Sequence, residues 1–254
     1  MAVTQYRLFG KTESPRSSTL AELWDVGVLA QAKRSETNPY EIANEIIGLR
    51  LGQALNLPIP PGVVVTEGGQ QFFCSMFFGG SGHQLPPADA EQVAIAHSHL
   101  AVGIVLFDCW ICNPDRHDGN ISLNETTQEI TLFDHGHSLL GDHGDVYQQY
   151  ANRLCIDNHC VAAELRAFSG FDDWLDRICD IPRWYVKEIV HDATVIGVSD
   201  EQADLLSIFL LARREQLRSL FHAGQNNKTL FPKKQSTLFG VWGFSHGDID
   251  DYCI

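Results

Sequence analysis

Residues 113–120 read NPDRHDGN, and residues 132–141 read LFDHGHSLLG. Aspartates, an asparagine and several histidines crowd together there. Three jobs suit such a set: holding a metal, moving a proton, or making polar turns. Between the two stretches lie the short alternating runs ISL (121–123) and EITLF (129–133), separated by NETTQ. This pattern predicts a β-hairpin. Asn120 and Asp134 are each seven residues from Thr127, so folding the hairpin brings them side by side at its open end. Asp115 lies five residues before Asn120, in the loop entering that end. Carboxylate and carboxamide oxygens suit Mg²⁺ shared with substrate phosphates. A free aspartate beside them can orient a hydroxyl and accept its proton. Together these are the minimal parts for phosphoryl transfer: a base, and two ligands for a metal bound to nucleotide. The plainer alternative is that Asp115 and Asn120 only cap turns after Pro114.

The elements that must position these residues can be read outward from them. Residues 89–112 predict one long helix, apolar nearly all round in its latter half and therefore central and buried. After the hairpin, helices are expected near 145–155, 160–168, 172–179, 183–191 and 200–223. Ser199 with Gln202 makes a capping box for the last, and Gly224 is a stop signal. On the amino-terminal side, residues 10–20 (GKTESPRSSTL) suit a hairpin loop. A turn at residues 25–27 then leads into a strand ending near Lys33. Asn38, Pro39 and Glu41 mark a helix start, as N-cap, first helical position and third residue after the cap. That helix should run to about Asn56, with Ile42, Glu45 and Leu49 on one face. GVVV (62–65) and QQFFCSMFF (70–78) read as strands. Gly79, Gly80, Ser81 and Gly82 mark a break between two lobes.

Lys33 at a strand end could neutralise α- and β-phosphate oxygens, with Glu45 holding it through an ion pair. Serines around residues 14–18 could cover phosphates with backbone N–H groups. Lys33 alone also reads as a solvated surface lysine, and Glu45 as a partner of Arg50. The order of loop, lysine, helix glutamate, break, D-x-x-x-x-N, hairpin and Asp-x-Gly is more specific than any one part.

The chain has 254 residues, 44% hydrophobic and 20% charged, which is ordinary for a globular protein. Its formal net charge of −14 disfavours nucleic acid and anionic membrane as direct partners. The stretch MAVTQYRLFGKTESP has no apolar signal core, and the apolar run at residues 100–107 is too short to cross a bilayer. A cytoplasmic protein with reduced thiols is expected. Cys109-x-x-Cys112 resembles a redox or zinc pair but falls on the apolar helix, where inert thiols are expected. His135, His137 and His143 suggest zinc only if three or four ligands converge. His117 reads either as a residue near the site that fixes the loop by a hydrogen bond or as a half-buried structural histidine, and a structural role near the site is expected. Phe72, Phe73, Phe77 and Phe78 read mostly as core.

DCWICNPDRHDGNI followed by LFDHG resembles the catalytic segment of HipA-like kinases and, more distantly, the phosphatidylinositol 3/4-kinase fold. DVGVLAQAK and EIANEIIGLRLGQALNLPIPPG resemble that family's lysine strand and glutamate-bearing helix. The similarity spans roughly residues 10–225. It implies an α+β, two-lobed, protein-kinase-like fold. The expected parts are a small β-rich lobe with one helix (1–80), a mainly helical lobe (81–224) and a tail (225–254) without a readable role. It further implies ATP- and Mg²⁺-dependent phosphorylation of a protein Ser or Thr. Asp115 would be the base, Asn120 and Asp134 the Mg²⁺ ligands and Lys33 the ATP-phosphate lysine, held by Glu45 because Glu41 serves better as a cap. Ser14, Ser17 and Ser18 would form the phosphate loop, with Phe77 and Phe78 beside adenine. The acceptor would be a protein, such as a translation-related enzyme, and an antitoxin-like regulatory partner belongs to the same expectation. The chain is similar to the short branch without an extra amino-terminal subdomain, and His135 stands where a Phe is usual in the Asp-Phe-Gly signature.

Two other functions fit parts of the pattern. A metal-dependent phosphohydrolase would use the His117–Asp118 pair and outlying histidines. A pseudokinase-like module would bind nucleotide or a partner without turnover. In this family the phosphate-loop serines can be autophosphorylated. Added phosphate on residues 14–18 after incubation with ATP is therefore expected by intact-mass and peptide analysis; no added mass on that segment would remove the expectation.

Overall fold

The structure is a computed structural model describing residues 7–12, 23–77, 87–124, 126–168 and 170–226. Strand β1 (Arg7–Thr12) pairs antiparallel with β2 (Leu23–Gly27), Thr12 opposite Leu23. The hairpin predicted near residue 10 is present, with its strands extended at the expense of loop. Gly10 to Thr12 are strand, and residues 25–27, expected as a turn, belong to β2. Ser14, Ser17 and Ser18 lie outside the described residues, as do Phe78 and the break at residues 79–82.

Strand β3 (Ala30–Lys33) ends on Lys33, as its sequence predicts. It forms the edge of a three-stranded antiparallel sheet ordered β3-β5-β4, with β4 (Gly62–Glu67) and β5 (Gln70–Met76). Helix α1 (Glu41–Ala54) packs on β4 and β5. It starts two residues later than predicted. Asn38 Oδ1 accepts from Tyr40 N at 2.9 Å and closes a turn ahead of the helix. Glu41 is therefore the first helical residue, not the third after a cap.

The predicted helix over 89–112 is two helices. Asp89 caps α2 (Ala90–Ala96) by accepting from Glu91 N and Gln92 N. The chain bends by 119° at His97 into α3 (Ser98–Trp110). No single helix among the described residues is long and apolar enough to cross a membrane. The bend is a tertiary effect: it lets α2 lie against a later helix while α3 threads the core. Every residue of α3 from 101 to 110 is buried, which agrees with its apolar surface on all sides.

The hairpin of β6 (Ile121–Leu123) and β7 (Ile130–Leu132) follows. Then come α4 (Val146–Gln149), α5 (Cys160–Glu164), α6 (Phe171–Asp180), α7 (Arg183–Asp192) and α8 (Asp200–Asn226). α4 and α5 are shorter than their sequence patterns predict. α8 runs through Gly224 to Asn226, the last of the described residues, so that glycine is not the stop. The predicted capping box is formed: Ser199 N donates to Gln202 Oε1 at 3.1 Å and Gln202 N to Ser199 Oγ at 3.2 Å.

Buried polar side chains tie these helices to α3. Trp110 Nε1 donates to Leu210 O at 2.9 Å. The fully buried Arg213 donates to the carbonyls of Cys109, Tyr150 and Arg153 at 2.6, 2.6 and 3.0 Å. One α8 guanidinium thus donates to a carbonyl near the end of α3 and to two beyond α4.

Gly103 packs under Trp174, whose Nε1 donates to His99 O at 2.7 Å. A Cβ at residue 103 would lie 2.3 Å from the indole. Alanine gains about 1 kcal/mol in helix propensity, and overpacking costs about 1–3 kcal/mol. Gly103→Ala is expected to lower the urea midpoint, because an indole wedged between α3 and α6 has no room to retreat.

Candidate active site

The site forms where α1 and β3 meet the loop after β7. Lys33 Nζ lies 2.7 Å from Glu45 Oε1 and 2.7 Å from Asp134 Oδ1. Burial lowers the lysine pKa, but the charges of Glu45 and Asp134 outweigh it and the net shift is upward. Glu45 is 2% exposed, and its other oxygen, Oε2, accepts from His135 N at 3.0 Å. Burial works against its charge, yet its hydrogen bonding with His135 and the Lys33 charge hold the carboxyl well below the usual range. The alternative partner, Arg50, is instead paired with Asp192.

Two asparagines complete the joint between α1 and this loop. Asn38 Nδ2 and Asn44 Nδ2 both donate to Gly136 O, at 2.9 and 2.7 Å. Asn44 Oδ1 accepts from Leu140 N at 3.1 Å. Glu41 lies against Gly136 too, since a Cβ there would be 3.0 Å from Glu41 Cγ. Its pKa is raised, by burial first and by Glu45 and Asp134 beside it, against the lowering effect of Lys33. The role of helix cap expected for Glu41 is replaced by a place in the acidic group around Lys33.

The hairpin register differs by one residue from the symmetric count. Ile121 pairs with Leu132 and Leu123 with Ile130. Asn120 therefore faces Phe133, whose N donates to Asn120 O at 3.3 Å. Asp134 falls one residue beyond the pair. Its backbone is left-handed, φ 62°, a conformation aspartate tolerates. This turn carries its carboxylate to Lys33.

Asn120 Nδ2 donates to Asp115 O at 2.9 Å, leaving the carboxamide oxygen for a ligand. Asp115 N donates to Asn113 Oδ1 at 3.1 Å, so the base candidate is fixed from both sides while its carboxylate stays partly exposed. His117 is exposed rather than half-buried. It does fix the loop as predicted: Gly119 N donates to its Nδ1 at 3.0 Å.

A buried ion pair that sequence reasoning missed supports this loop. Asp108 on α3 and Arg116 in the loop are both 0% exposed. Arg116 donates from Nε to Asp108 Oδ2 at 2.8 Å and from Nη2 to Oδ1 at 3.1 Å. Its Nη1 donates to Asn120 O at 2.8 Å and to Phe133 O at 2.7 Å. Asp108 also accepts from Asn113 Nδ2 at 2.9 Å and lies 3.1 Å from His159 Nε2. His159 Nδ1 accepts from Ala162 N, which leaves the hydrogen on Nε2, facing Asp108. Burial opposes the Asp108 charge, but Arg116 and His159 hold its pKa far below the usual range. The signal for this cluster was the one carboxylate in an otherwise apolar helix, eight residues before an arginine.

The loop separates two cavities. One, of about 140 Å³, is walled by Lys33, Glu45, Phe73, Asn120, Asp134 and His135 among others. Phe73 is buried and lines it; Phe77, half-buried just past β5, does not. The other cavity opens beside Asp115. The histidines do not converge. His135 is buried edge-on against Phe107 and beside Glu45, whereas His137 pairs with Asp142 at 3.1 Å. Among the described residues no group of three or more His, Cys, Asp or Glu is placed to hold a metal by itself. Cys109 and Cys112 are buried, and burial raises both thiols well above the usual value, consistent with inert thiols.

The model of a family described as HipA-like kinase matches residues 27–184. The chain belongs to the HipA-like kinase family, and so is a kinase of the HipA type with a mixed α+β, kinase-like fold. Among solved structures it is similar to the Helicobacter pylori proinflammatory kinase CtkA. That match has a TM-score of 0.55 and 15% identity and covers 79% of this chain and 91% of that one. A chain of the Shewanella oneidensis MR-1 toxin–antitoxin complex of HipA, HipB and operator DNA matches with a TM-score of 0.48 and 14% identity, covering 87% of this chain and 66% of that one. No curated protein matches by sequence.

Removing one partner of the buried pair leaves an uncompensated charge, a loss of about 3–5 kcal/mol. Asp108→Asn is expected to destabilise by that much in urea unfolding at neutral pH. The folded pKa of Asp108 lies below its ordinary value of 3.8, so its contribution is full above that value and is lost as pH falls through the folded pKa. The gap between wild type and variant should stay constant in mild acid and close on stronger acidification.

Proposed function

We propose that the chain transfers the γ-phosphoryl group of Mg²⁺-bound ATP to a Ser or Thr hydroxyl of a protein. The observation that carries this is Lys33, held at once by Glu45 and Asp134 at 2.7 Å each, on a cavity that Asn120 also lines. A lysine fixed between a helix glutamate and a metal-ligand candidate is the arrangement that presents a cation to nucleotide phosphates.

The donor set fits Mg²⁺. Asp134 supplies a carboxylate and Asn120 a carboxamide oxygen whose own nitrogen is already used. One carboxylate and one amide oxygen are too few for a cage of protein alone, and suit an ion that takes its other ligands from phosphates and water. When bound, Mg²⁺ would offset charge on the phosphates. Lys33 would hold α- or β-phosphate oxygens, with Glu45 keeping its ammonium in place. Asp115 would orient the acceptor hydroxyl and accept its proton, the loop around it kept in position by Arg116. Most of the catalytic effect is then positioning and charge stabilisation. On this reading the amino-terminal part up to about residue 80 carries the nucleotide and residues 81–224 carry the catalytic loop. Ser14, Ser17 and Ser18 would cover the phosphates.

Radiolabelled transfer from ATP to protein or peptide acceptors tests this. Asp115→Ala and Asp134→Ala are each expected to lower the rate by about 100-fold or more. Asp115→Ala should keep ATP-induced thermal stabilisation, since Asp115 does not line the nucleotide cavity. Full transfer by Asp115→Ala would overturn the assignment. ATP binding by wild type without transfer to any acceptor would leave a nucleotide-binding module instead.

A further inference from the structure

Strands β3 and β5 wall the cavity beside Lys33 with two rungs of paired residues. Lys33 pairs with Phe73, and Gln31 with Ser75. Residues two apart on a strand share a face, and all four of these residues line the cavity. The Lys33 rung belongs to the charged end, because its ammonium lies 2.7 Å from both Glu45 and Asp134. The Gln31–Ser75 rung lies about 7 Å further along the strands. In a nucleotide, the ribose separates the α-phosphate from the base by a comparable distance. A nucleotide with phosphate oxygens at Lys33 and this sheet as its wall therefore brings its base to Gln31 and Ser75.

The chemistry of that rung is unusual for the cavity. Leu49, Ile59 and Pro60 also line it and are apolar. Away from the charged group around Lys33 and Asp134, the polar side chains on the wall are those of Gln31 and Ser75. Among the described residues, neither side chain is engaged in a hydrogen bond or ion pair. A carboxamide has an accepting oxygen and two N–H donors, and turning it over exchanges their places; a hydroxyl donates or accepts as it rotates. Adenine presents an amino donor beside an accepting ring nitrogen. Guanine presents the reverse, an accepting carbonyl beside a ring N–H donor. One carboxamide complements either edge, whereas a carboxylate, which only accepts, matches adenine alone.

We propose that Gln31, with Ser75 opposite it, reads the nucleobase, and that the site takes guanine as well as adenine nucleotides. The proposal rests on the phosphoryl-transfer reading for the place of the phosphates at Lys33. It adds a selectivity that Lys33, Asn120, Asp134 and Asp115 do not determine, since those residues act on groups that all nucleoside triphosphates share.

The test uses the full chain, Mg²⁺ and the β,γ-imido analogues of ATP and GTP, which differ only in the base. Binding is measured by isothermal titration calorimetry. The two analogues are expected to bind wild type within about fivefold of each other. Gln31→Glu, checked for folding by its melting temperature, adds a negative charge that weakens both, so the ratio of the two affinities is what reads the base. That ratio should shift toward the adenine analogue by about tenfold or more, the scale of losing a paired hydrogen-bond contact to a base edge. Gln31→Leu should weaken both analogues and leave their ratio near that of wild type. A wild-type preference greater than about fivefold for either base, or a ratio that Gln31→Glu does not change, would overturn the proposal. Labelled-phosphate transfer from ATP, run alongside, separates the two readings. Transfer with a base ratio blind to residue 31 leaves the kinase reading intact and removes the base reading alone. Binding of neither analogue removes the nucleotide from this cavity and both readings with it.

Discussion

The buried ion pair between Asp108 and Arg116 is the constraint on which the site depends. Taking both charges out of water is costly, and their attraction compensates only when every donor and acceptor is satisfied. Here the guanidinium fork is filled by one carboxylate and two carbonyls, and the carboxylate by Arg116, Asn113 and His159. The two carbonyls, of Asn120 and Phe133, are the last pairing positions at the open end of the hairpin. A single side chain therefore sets the distance between the loop of residues 113–120, both hairpin strands and the central helix. Lysine, without the planar fork, could not make these bonds together.

A second joint connects the amino-terminal elements to this frame. Glu45 spends one oxygen on Lys33 and the other on the His135 backbone, while Asn38 and Asn44 share the Gly136 carbonyl. α1 is thus fastened to the loop after β7 by side-chain-to-backbone bonds, which fix direction as well as distance. His135 fits under α1 because residue 48 is glycine; a Cβ there would lie 2.9 Å from the histidine Cβ. The middle position of the Asp-x-Gly stretch keeps a packing role, with imidazole against Phe107 in place of a benzyl ring.

Much of this was legible in residue order. The strand ending on Lys33, the glutamate on the following helix, the hairpin and the capping box at Ser199 all follow from local patterns and appear in the structure. What failed had specific causes. Residues 89–112 carry one continuous helical pattern, and no proline or glycine marks His97, so the bend came from packing. Counting from the middle of the hairpin put Asn120 opposite Asp134; pairing and a left-handed residue moved the partner by one. Glu41 read as a cap because Asn38 looked like the helix start.

The sequence by itself determined which chemical groups are present, their order along the chain and their place on strand, helix or hairpin, because these depend on short-range periodicity and turn chemistry. Only the tertiary structure decided that Asp108, Arg116 and His159 form one buried cluster. It also decided that Lys33 sits between two carboxylates, and that Asp115 and Asn120 face different cavities. Those facts depend on side chains up to a hundred residues apart meeting in a low-dielectric interior, where the strength of each charge is set by the partners packing brings to it.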